Sequence, residues 1–565
     1  MSSAKEPVTR RFGNGLTVLI KEDKSHPVVS LQYWVGTGSM NEGHWQGSGL
    51  SHLLEHLVFK GTAHFSGQEL ARKVQERGGH WNAYTSVNRT VYYIDGPAES
   101  WQIFLNLLTE LVFFPTFPED EMEREKEVVR REMAMYADDP DSVAYQLLMQ
   151  TLYLKHPRRW PVLGERAAFD CLTRQDVLDY HASRYVPNNV VLSIAGDVDA
   201  AEILSHLELL VEDLKSRPLN REPIPHEPHQ FGSRRVRKEF AVPYSKLHLA
   251  WRLPCSAHPD TPALSALSSI LGGGRSARFY EKFHDRLGLV YSIEVHSNQS
   301  ETDEGAFTIS MDVDRAQRDK VRDLVLQELR NLAEEDFTED LKRVCKQTRV
   351  SRLRRRSSAS GVASEMGADW FGSRNLNLSS EWQEAIERVT TEDLHRVCST
   401  WLSSPNVTEV SLDPPGSNAG DEERASASAG TALSEHVLGN GMKVVIREDH
   451  RLPLAYACMA FKAGCRAENE HDAGVTDLMA ECLLKGTSTR SAADIARFLE
   501  DIGGAINTST GNNSLSVGCQ VLAEDLDAGL ELMADVVMNP SFPEDAFLRE
   551  KAVSYTHLRA HETKA

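Results

Sequence analysis

An internal repeat constrains the fold of this chain more than any other feature of its sequence. Four segments recur in the same order near the two ends, and three of the four matches are offset by 425 positions. The matched pairs are FGNGLTVLIKED at 12–23 with LGNGMKVVIRED at 438–449, GLSHLLEHLVFKGT at 49–62 with GVTDLMAECLLKGT at 474–487, GGHWNAYTS at 78–86 with GGAINTST at 503–510, and PTFPED at 115–120 with PSFPED at 540–545. Ordered matches at one spacing are very unlikely by chance, so the chain carries a duplicated domain.

Two stretches poor in apolar residues divide the chain. The stretch from Ser216 is rich in proline and polar residues, and the stretch from Asp413 is rich in glycine, serine and alanine. These boundaries predict a first domain at 1–215, a linker at 216–232, a middle domain at 233–412, a flexible linker at 413–430 and a third domain at 431–565. The third copy is shorter than the first, and from about residue 554 it no longer follows the repeat. We therefore expect an incomplete domain with a truncated or chimaeric end, or a divergent natural terminus.

Charge and hydropathy exclude several classes of protein. The formal net charge of −20 argues against a general binder of nucleic acid or anionic membranes. No apolar run approaches the roughly 18 residues that a membrane-spanning helix requires. The N-terminus has no apolar signal core, which predicts a cytoplasmic protein, or a periplasmic or organelle-matrix protein if a leader is missing.

The segment SGLSHLLEHLVFKG at 48–61 predicts an amphipathic helix that carries a metal site. Its large aliphatic residues fall on one helical face, and His52, Glu55 and His56 fall on the opposite face. Two imidazoles at i and i+4 can reach one metal ion, and Glu55 lies close enough to polarise a metal-bound water. The order H-x-x-E-H is the inverted form of the zincin motif.

Strands and helices that follow one another without regular βαβ alternation predict an α+β fold with largely antiparallel sheets.

The HLLEH motif, the GGHWNAYTS segment, the EREKEVVRRE segment and the duplicated plan together resemble the pitrilysin–insulinase family of zinc metallopeptidases, in its bacterial tandem-domain form. The resemblance implies repeated domains of antiparallel sheet packed with helices, the metallohydrolase fold of mitochondrial processing peptidases. It also implies that this chain corresponds to somewhat more than the first half of a longer peptidase.

The resemblance extends to the rest of the zinc site. The family's third ligand, a glutamate about 76 residues beyond the second histidine, falls on Glu132, so His52, His56 and Glu132 would hold one Zn²⁺ per chain. A second glutamate of the family pattern falls on Glu125, on the same helical face, where it suits a supporting role beside the metal. Glu55 and Glu125 are therefore the predicted catalytic residues. Glu55 would take a proton from a zinc-activated water and pass it to the leaving amine. Ligand types alone would also accept manganese or cobalt.

Asn82, Ala83 and Tyr84 resemble the family's edge strand, to which a substrate adds by backbone pairing. Such pairing reads an extended shape more than a sequence, so we expect unstructured peptides as substrates. The family encloses its substrates between two halves, which implies that the missing C-terminal half or a partner subunit closes the chamber. We expect neither nucleic acid nor a membrane as a partner.

The third domain has DLMAE at 477–481 where the first has HLLEH, so we predict that it is a non-catalytic wall. The middle domain resembles the family's non-catalytic domain.

The sequence as a whole favours a zinc endopeptidase or oligopeptidase, with a presequence-processing peptidase as a close variant. The alternative from another class is a non-catalytic structural or peptide-holding subunit. The presence of the base and all three candidate ligands favours the enzyme.

Overall fold

The computed structural model describes most of the chain. The described residues are 6–219, 223–299, 304–402, 406–415, 434–446, 454–464, 467–469, 474–502, 504–511, 513–548 and 550–551. The chain forms two compact units, 1–422 and 423–565. The predicted flexible linker beyond residue 415 and the predicted tail from about 554 lie outside the described residues. Within those residues, no helix combines the length and the apolar character needed to cross a membrane.

The first unit begins with a six-stranded sheet. Its strands are β1 (Val8–Arg11), β2 (Thr17–Glu22), β3 (Val28–Val35), β4 (His80–Thr85), β5 (Thr90–Pro97) and β6 (Val190–Gly196). Their spatial order is β1-β2-β6-β3-β5-β4, and every neighbouring pair is antiparallel except β2 and β6. Strand β6 is buried at every residue, whereas β4 alternates between exposed and half-buried residues, because β6 is central and β4 is an edge.

Eight α-helices accompany this sheet. They are α1 (Leu50–Val58), α2 (Gly67–Gln75), α3 (Trp101–Phe113), α4 (Glu119–Asp138), α5 (Pro140–Leu152), α6 (Arg166–Asp170), α7 (Arg174–Arg184) and α8 (Ala200–Leu210). Helix α3 is almost entirely apolar and buried, so it belongs to the core. Helix α4 is rich in charged residues and buries only one stripe, so it lies at the surface with its buried stripe toward α1.

A second sheet of five strands follows in the same unit. Its strands are β7 (Arg234–Glu239), β8 (Ser245–Leu253), β9 (Val290–Asn298), β10 (Gly305–Val313) and β11 (Thr408–Asp413). Their order is β7-β11-β8-β10-β9, with one parallel pair, β7 and β11. The helices are α9 (Thr261–Gly272), α10 (Arg318–Asn331), α11 (Thr338–Arg355), α12 (Ala359–Ser373), α13 (Leu378–Glu387) and α14 (Thr391–Val397).

One helix from each half of the first unit packs on the sheet of the other half. Helix α12 packs on β3 and β6 of the first sheet, and α5 packs on β8 and β11 of the second. A Cβ on Gly367 of α12 would lie 2.3 Å from the ring of Trp34, so only glycine allows this close approach. The exchange fixes the relative position of the two sheets.

The predicted linker at 216–232 contains no helix or strand among its described residues, but one of its side chains is firmly held. The carboxylate of Glu227 accepts hydrogen bonds from the backbone N–H groups of Leu154, Lys155 and His156, at 2.7, 2.8 and 3.0 Å. These three N–H groups follow the C-terminus of α5. The linker is therefore tied to the helix that packs on the second sheet.

The second unit repeats part of the first domain. It contains β12 (Ser434–Val437), β13 (Lys443–Ile446), β14 (Leu454–Phe461), α15 (Val475–Leu483), α16 (Ala492–Asp501), β15 (Ala505–Thr510), β16 (Leu515–Leu522) and α17 (Leu526–Met538). The order from β14 to α17 matches that from β3 to α3. Even an isolated bridge recurs at the same offset, Gly61 with Ser66 and Gly486 with Ser491. The mixed helices and antiparallel-rich sheets of both units confirm the α+β prediction.

A buried ion pair stabilises the second sheet. Arg318 and Asp413 are each only 1% exposed at the side chain, and the guanidinium of Arg318 donates to the carboxylate of Asp413. The hydroxyls of Ser245 and Ser411 donate to the same carboxylate, at 2.6 and 2.7 Å. These hydrogen bonds and the positive charge of Arg318 outweigh burial and hold the pKa of Asp413 below its usual value.

We predict that Arg318→Met lowers the free energy of unfolding of the first unit by about 3–5 kcal/mol, because Asp413 is left buried without its counter-charge. Urea denaturation followed by tryptophan fluorescence measures the effect. The control is Arg388→Gln, which removes an exposed pair with Glu384 and should cost less than about 1 kcal/mol. Equal losses in the two variants would contradict the role given to the buried pair.

Candidate metal centre

Helix α1 carries the predicted motif, and its apolar face fixes it in the core. The five aliphatic residues of that face are completely buried: Leu50, Leu53, Leu54, Leu57 and Val58. The sequence predicts a helix that begins near Ser48. In the structure α1 begins at Leu50, because Gly49 takes the N-cap position with φ 72°. A Cβ on Gly49 would lie 1.9 Å from the carbonyl oxygen of Leu163, so this position requires glycine.

No side chain at the N-cap satisfies the start of α1, and a distant carboxylate does so instead. Glu42 is fully buried, and its Oε1 accepts the backbone N–H of Ser51 at 2.9 Å. Burial raises the pKa of Glu42 to about 8, although nearby backbone N–H groups act in the opposite direction. Glu42 thus provides the acceptor that an N-cap residue normally supplies.

The structure brings His52, His56 and Glu132 together. Oε2 of Glu132 lies 3.7 Å from Nε2 of His52 and 3.9 Å from Nε2 of His56. The three ligand atoms all lie within 4.8 Å of one another, and no other such cluster of three histidine, cysteine or acidic residues occurs among the described residues. Two imidazoles and one carboxylate on one side of an ion are the donor set of a catalytic zinc site. The three residues therefore fit a zinc ion.

Burial controls the protonation of His52. It lowers the pKa of His52 to about 3, with a smaller contribution from His56. His52 is therefore neutral near pH 7, which is the form that binds a metal. Its Nδ1 is buried without a hydrogen-bond partner among the described residues.

Glu125 contacts His56 and does not belong to the three-residue cluster. Its Oε2 lies 3.1 Å from Nδ1 of His56, and its Oε1 lies 2.7 Å from Nζ of Lys60. Burial opposes both charges, but the hydrogen bonds prevail, so the pKa of Glu125 is lowered and that of His56 is raised. When Nδ1–H donates to Glu125, Nε2 of His56 is left facing Glu132 as a ligand atom.

Glu55 lies beside the cluster, and strand β4 holds its side chain. The hydroxyl of Thr85 donates a short hydrogen bond to Oε2 of Glu55. Burial raises the pKa of Glu55, although this hydrogen bond opposes the shift. A half-buried carboxylate with a raised pKa is a stronger base than an exposed one, and it is anchored here to an edge strand.

A cleft of about 800 Å³ opens in front of the cluster. His52, Glu55 and Glu132 line this cleft together with residues of β4, α4, α5 and the loop around Trp160. Ala83 and Tyr84 of the predicted edge strand line the cleft, whereas Asn82 does not. The Oδ1 atom of Asn82 instead accepts the backbone N–H of Ala83 at 2.8 Å. Strand β4 is the last strand of its sheet, so one of its edges has no neighbouring strand among the described residues.

Sequence reasoning missed three residues that support the site. Thr85 and Lys60 could have been suspected, because Thr85 shares a face of β4 with Ala83 and Lys60 lies one helical turn beyond His56. The second copy of the repeat also has a glutamate just before its helix, which could have indicated the role of Glu42. Glu468 plays the same part in the third domain, where it accepts the N–H groups of Gly474 and Thr476 at 2.7 and 2.8 Å.

Comparison with known proteins identifies the family of this chain. The family model described as "Insulinase (Peptidase family M16)" matches residues 17–166 and again residues 443–565. A second model, described as "Peptidase M16 inactive domain", matches residues 172–347. The chain belongs to peptidase family M16. The double match of the first model agrees with the duplication read from the sequence.

Several proteases are similar to this chain over two thirds or more of their own length. An uncharacterized zinc protease of Rickettsia felis is 27% identical over 406 residues, which cover 70% of this chain and 94% of the relative. One of Mycobacterium tuberculosis is 30% identical over 299 residues, 52% of this chain and 67% of the relative. The crystal structure of a protease from Helicobacter pylori has a TM-score of 0.66 and 26% identity, and covers 72% of this chain and all of that one. These relatives support a metallopeptidase-like role.

We predict that Glu132→Gln weakens zinc binding at least about a hundredfold, because it removes one of three ligand atoms. Glu125→Gln should weaken zinc binding about 10–100-fold, since it affects only the orientation of His56. Competition with a chromophoric chelator measures both affinities. Glu123→Gln, an exposed glutamate of the same helix, is the control and should leave the affinity unchanged. Wild-type affinity in the Glu132 variant would contradict the proposed ligand set.

The buried carboxyl of Glu42 predicts a pH dependence of stability. Its pKa is about 8 in the folded chain against an ordinary value of 4.5, so the folded state holds the proton more tightly. Stability of the first unit should therefore fall as the pH rises from about 4.5 to about 8. Glu42→Gln should reduce this slope, as measured by urea midpoints between pH 5 and 8.

Glu468→Gln is the matched control. The pKa of Glu468 is lowered by hydrogen bonds from Gly474 and Thr476, so this carboxyl is already ionised throughout that range. The control should leave the slope unchanged. A slope that survives in the Glu42 variant would show that another group is responsible.

Proposed function

We propose that this chain is a zinc-dependent endopeptidase or oligopeptidase that hydrolyses short or unfolded peptides. The observation that carries the proposal is the convergence of His52, His56 and Glu132 beside a base, Glu55, whose partner Thr85 belongs to an edge strand. The names of the zinc protease relatives support zinc as the metal.

A zinc ion held by the three ligands would supply the Lewis acidity that lowers the pKa of a water molecule. Glu55 would be the base that takes a proton from the attacking water as that water adds to the scissile carbonyl. Burial already raises the pKa of Glu55, so it can pass the proton to the leaving amine near neutral pH. Glu125 keeps Nδ1 of His56 engaged and so maintains the orientation of that ring.

Strand β4 is the proposed docking edge for the substrate. An extended peptide that pairs with Ala83 and Tyr84 would place its backbone along the same strand that anchors Glu55 through Thr85. Its carbonyl would replace Oδ1 of Asn82 as the acceptor for the N–H of Ala83. The position of the peptide relative to Glu55 would therefore be set by strand β4.

All the residues that line the cleft belong to the first unit. We propose that another half of the enzyme, on a longer chain or a partner subunit, covers the cleft during turnover. Enclosure would exclude folded substrates and water, in keeping with a preference for unstructured peptides.

The decisive experiment is cleavage of a quenched, unstructured peptide by the zinc-loaded chain and by its Glu55→Gln variant. We expect kcat/KM to fall at least about a hundredfold in the variant, because a general base is lost while the ligands remain. Zinc content should stay at one ion per chain in both proteins. Glu123→Gln should keep full activity.

Equal cleavage by the wild type and the Glu55 variant would exclude the proposed base. If the zinc-loaded wild type binds the peptide without cutting it, the chain is better described as a peptide-holding subunit. Bound zinc in such an inactive protein would then show that the metal site forms without producing catalysis.

A further inference from the structure

A second cleft, of about 560 Å³, is lined in part by the hairpin that joins β4 to β5. Val87 of this hairpin lines the cleft at the metal centre, and its neighbour Asn88 lines the second cleft. Polar and apolar residues both line the second cleft, and the apolar ones include Trp370 and Phe371 from the end of α12. A cleft in which apolar side chains and a few polar groups converge is typical of a small-molecule site.

The charge of this cleft is unusual for the chain. Acidic residues outnumber lysine and arginine by 82 to 62 in the sequence, yet none of the described residues lining the cleft is acidic. Arg11 and Arg374 both line it, and neither has an acidic partner among the described residues. Burial and the like charge of Arg11 lower the pKa of Arg374. Two guanidinium groups that face one cleft without a counter-ion favour an anionic ligand.

The backbone of Arg374 is a second, independent observation. Arg374 ends α12 with φ 59°, a conformation in which glycine is the usual residue. The other described non-glycine residues with positive φ are Phe117 and Phe542, which occupy equivalent positions of the repeat and so belong to the fold. Arg374 lies in the middle domain, outside the repeat. Strain of this kind at a single residue often marks a binding site.

Two further donors belong to residues that line the cleft. The indole Nε1 of Trp370 is buried and has no hydrogen-bond partner among the described residues. Oδ1 of Asn41 accepts the N–H of Gly38, so the amide nitrogen of Asn41 remains a donor. Such donors suit the oxygens of a carboxylate or phosphate.

We propose that this cleft is a binding site for an organic anion, a carboxylate or phosphate group carried on an apolar body. The oxyanion would bind Arg11 and Arg374, and the apolar body would pack on Trp370 and Phe371. The site lies apart from His52, His56 and Glu132, so the proposal does not depend on peptidase activity.

The test is isothermal titration of the full chain with N-acetyl-L-leucine, with its neutral amide and with inorganic phosphate. We expect saturable binding of the carboxylate in the millimolar range and none of the amide. Arg374→Gln should weaken binding about tenfold, since one charge-assisted hydrogen-bonding group is lost. Arg354→Gln, an exposed arginine of α11 outside the cleft, is the matched control.

Tighter binding of phosphate than of the carboxylate, also lost in Arg374→Gln, would identify a phosphoryl group as the ligand chemistry and support the site. Equal binding of the amide and the acid would overturn the proposal. So would equal weakening in the Arg374 and Arg354 variants, or no saturable binding of either anion up to about 20 mM.

Arg374→Gly separates binding from folding. Glycine suits φ 59°, so the midpoint of thermal unfolding should stay the same or rise while anion binding is weakened as in Arg374→Gln. A lowered midpoint together with unchanged binding would show that the arginine serves the fold, and the proposal would fail.

Discussion

The hydrogen bond from the backbone N–H of Ser51, in the first turn of α1, to the carboxyl of Glu42 is the interaction on which the metal centre most directly depends. Helix α1 is only nine residues long, and its N-cap, Gly49, has no side chain to satisfy the free N–H groups. Its apolar face fixes its rotation, and Glu42 fixes its start. His52 and His56 are one turn apart on the same helix, so their separation follows from these two constraints. Only Glu132 must be supplied from elsewhere, and α4 packs against α1 to supply it.

The duplicated domain separates what the fold needs from what the chemistry needs. The third domain keeps the αL glycine before its helix, Gly474, and keeps a carboxyl, Glu468, at the start of that helix. It also keeps a threonine at the end of the edge strand, Thr510, which donates to Asp477 at 2.7 Å. It has lost both histidines. The caps and glycines are therefore requirements of the architecture, whereas the metal ligands are a separate requirement that one copy can lose without losing its elements.

The same distinction explains how much could be predicted from the sequence. Helix α1 was predictable because its period of 3.6 residues places five aliphatic residues opposite the two histidines. The repeat was predictable because it needs only the sequence. Glu132 could be assigned only through the family resemblance, since no local pattern selects one glutamate of α4 over the others. Thr85 and Lys60 act through contacts with Glu55 and Glu125 that arise only when β4 and α4 pack against α1.

The exchange of helices between the two sheets determines where ligands can bind. Because α5 leaves the first domain to pack on the second sheet, its other side forms a wall of the cleft at the metal centre. Because α12 leaves the second half to pack on the first sheet, residues at its C-terminal end line the second cleft. The hairpin between β4 and β5 contributes to both clefts, through Val87 to the first and through Asn88 to the second. The strand that holds Glu55 through Thr85 therefore leads directly into a segment that lines both clefts.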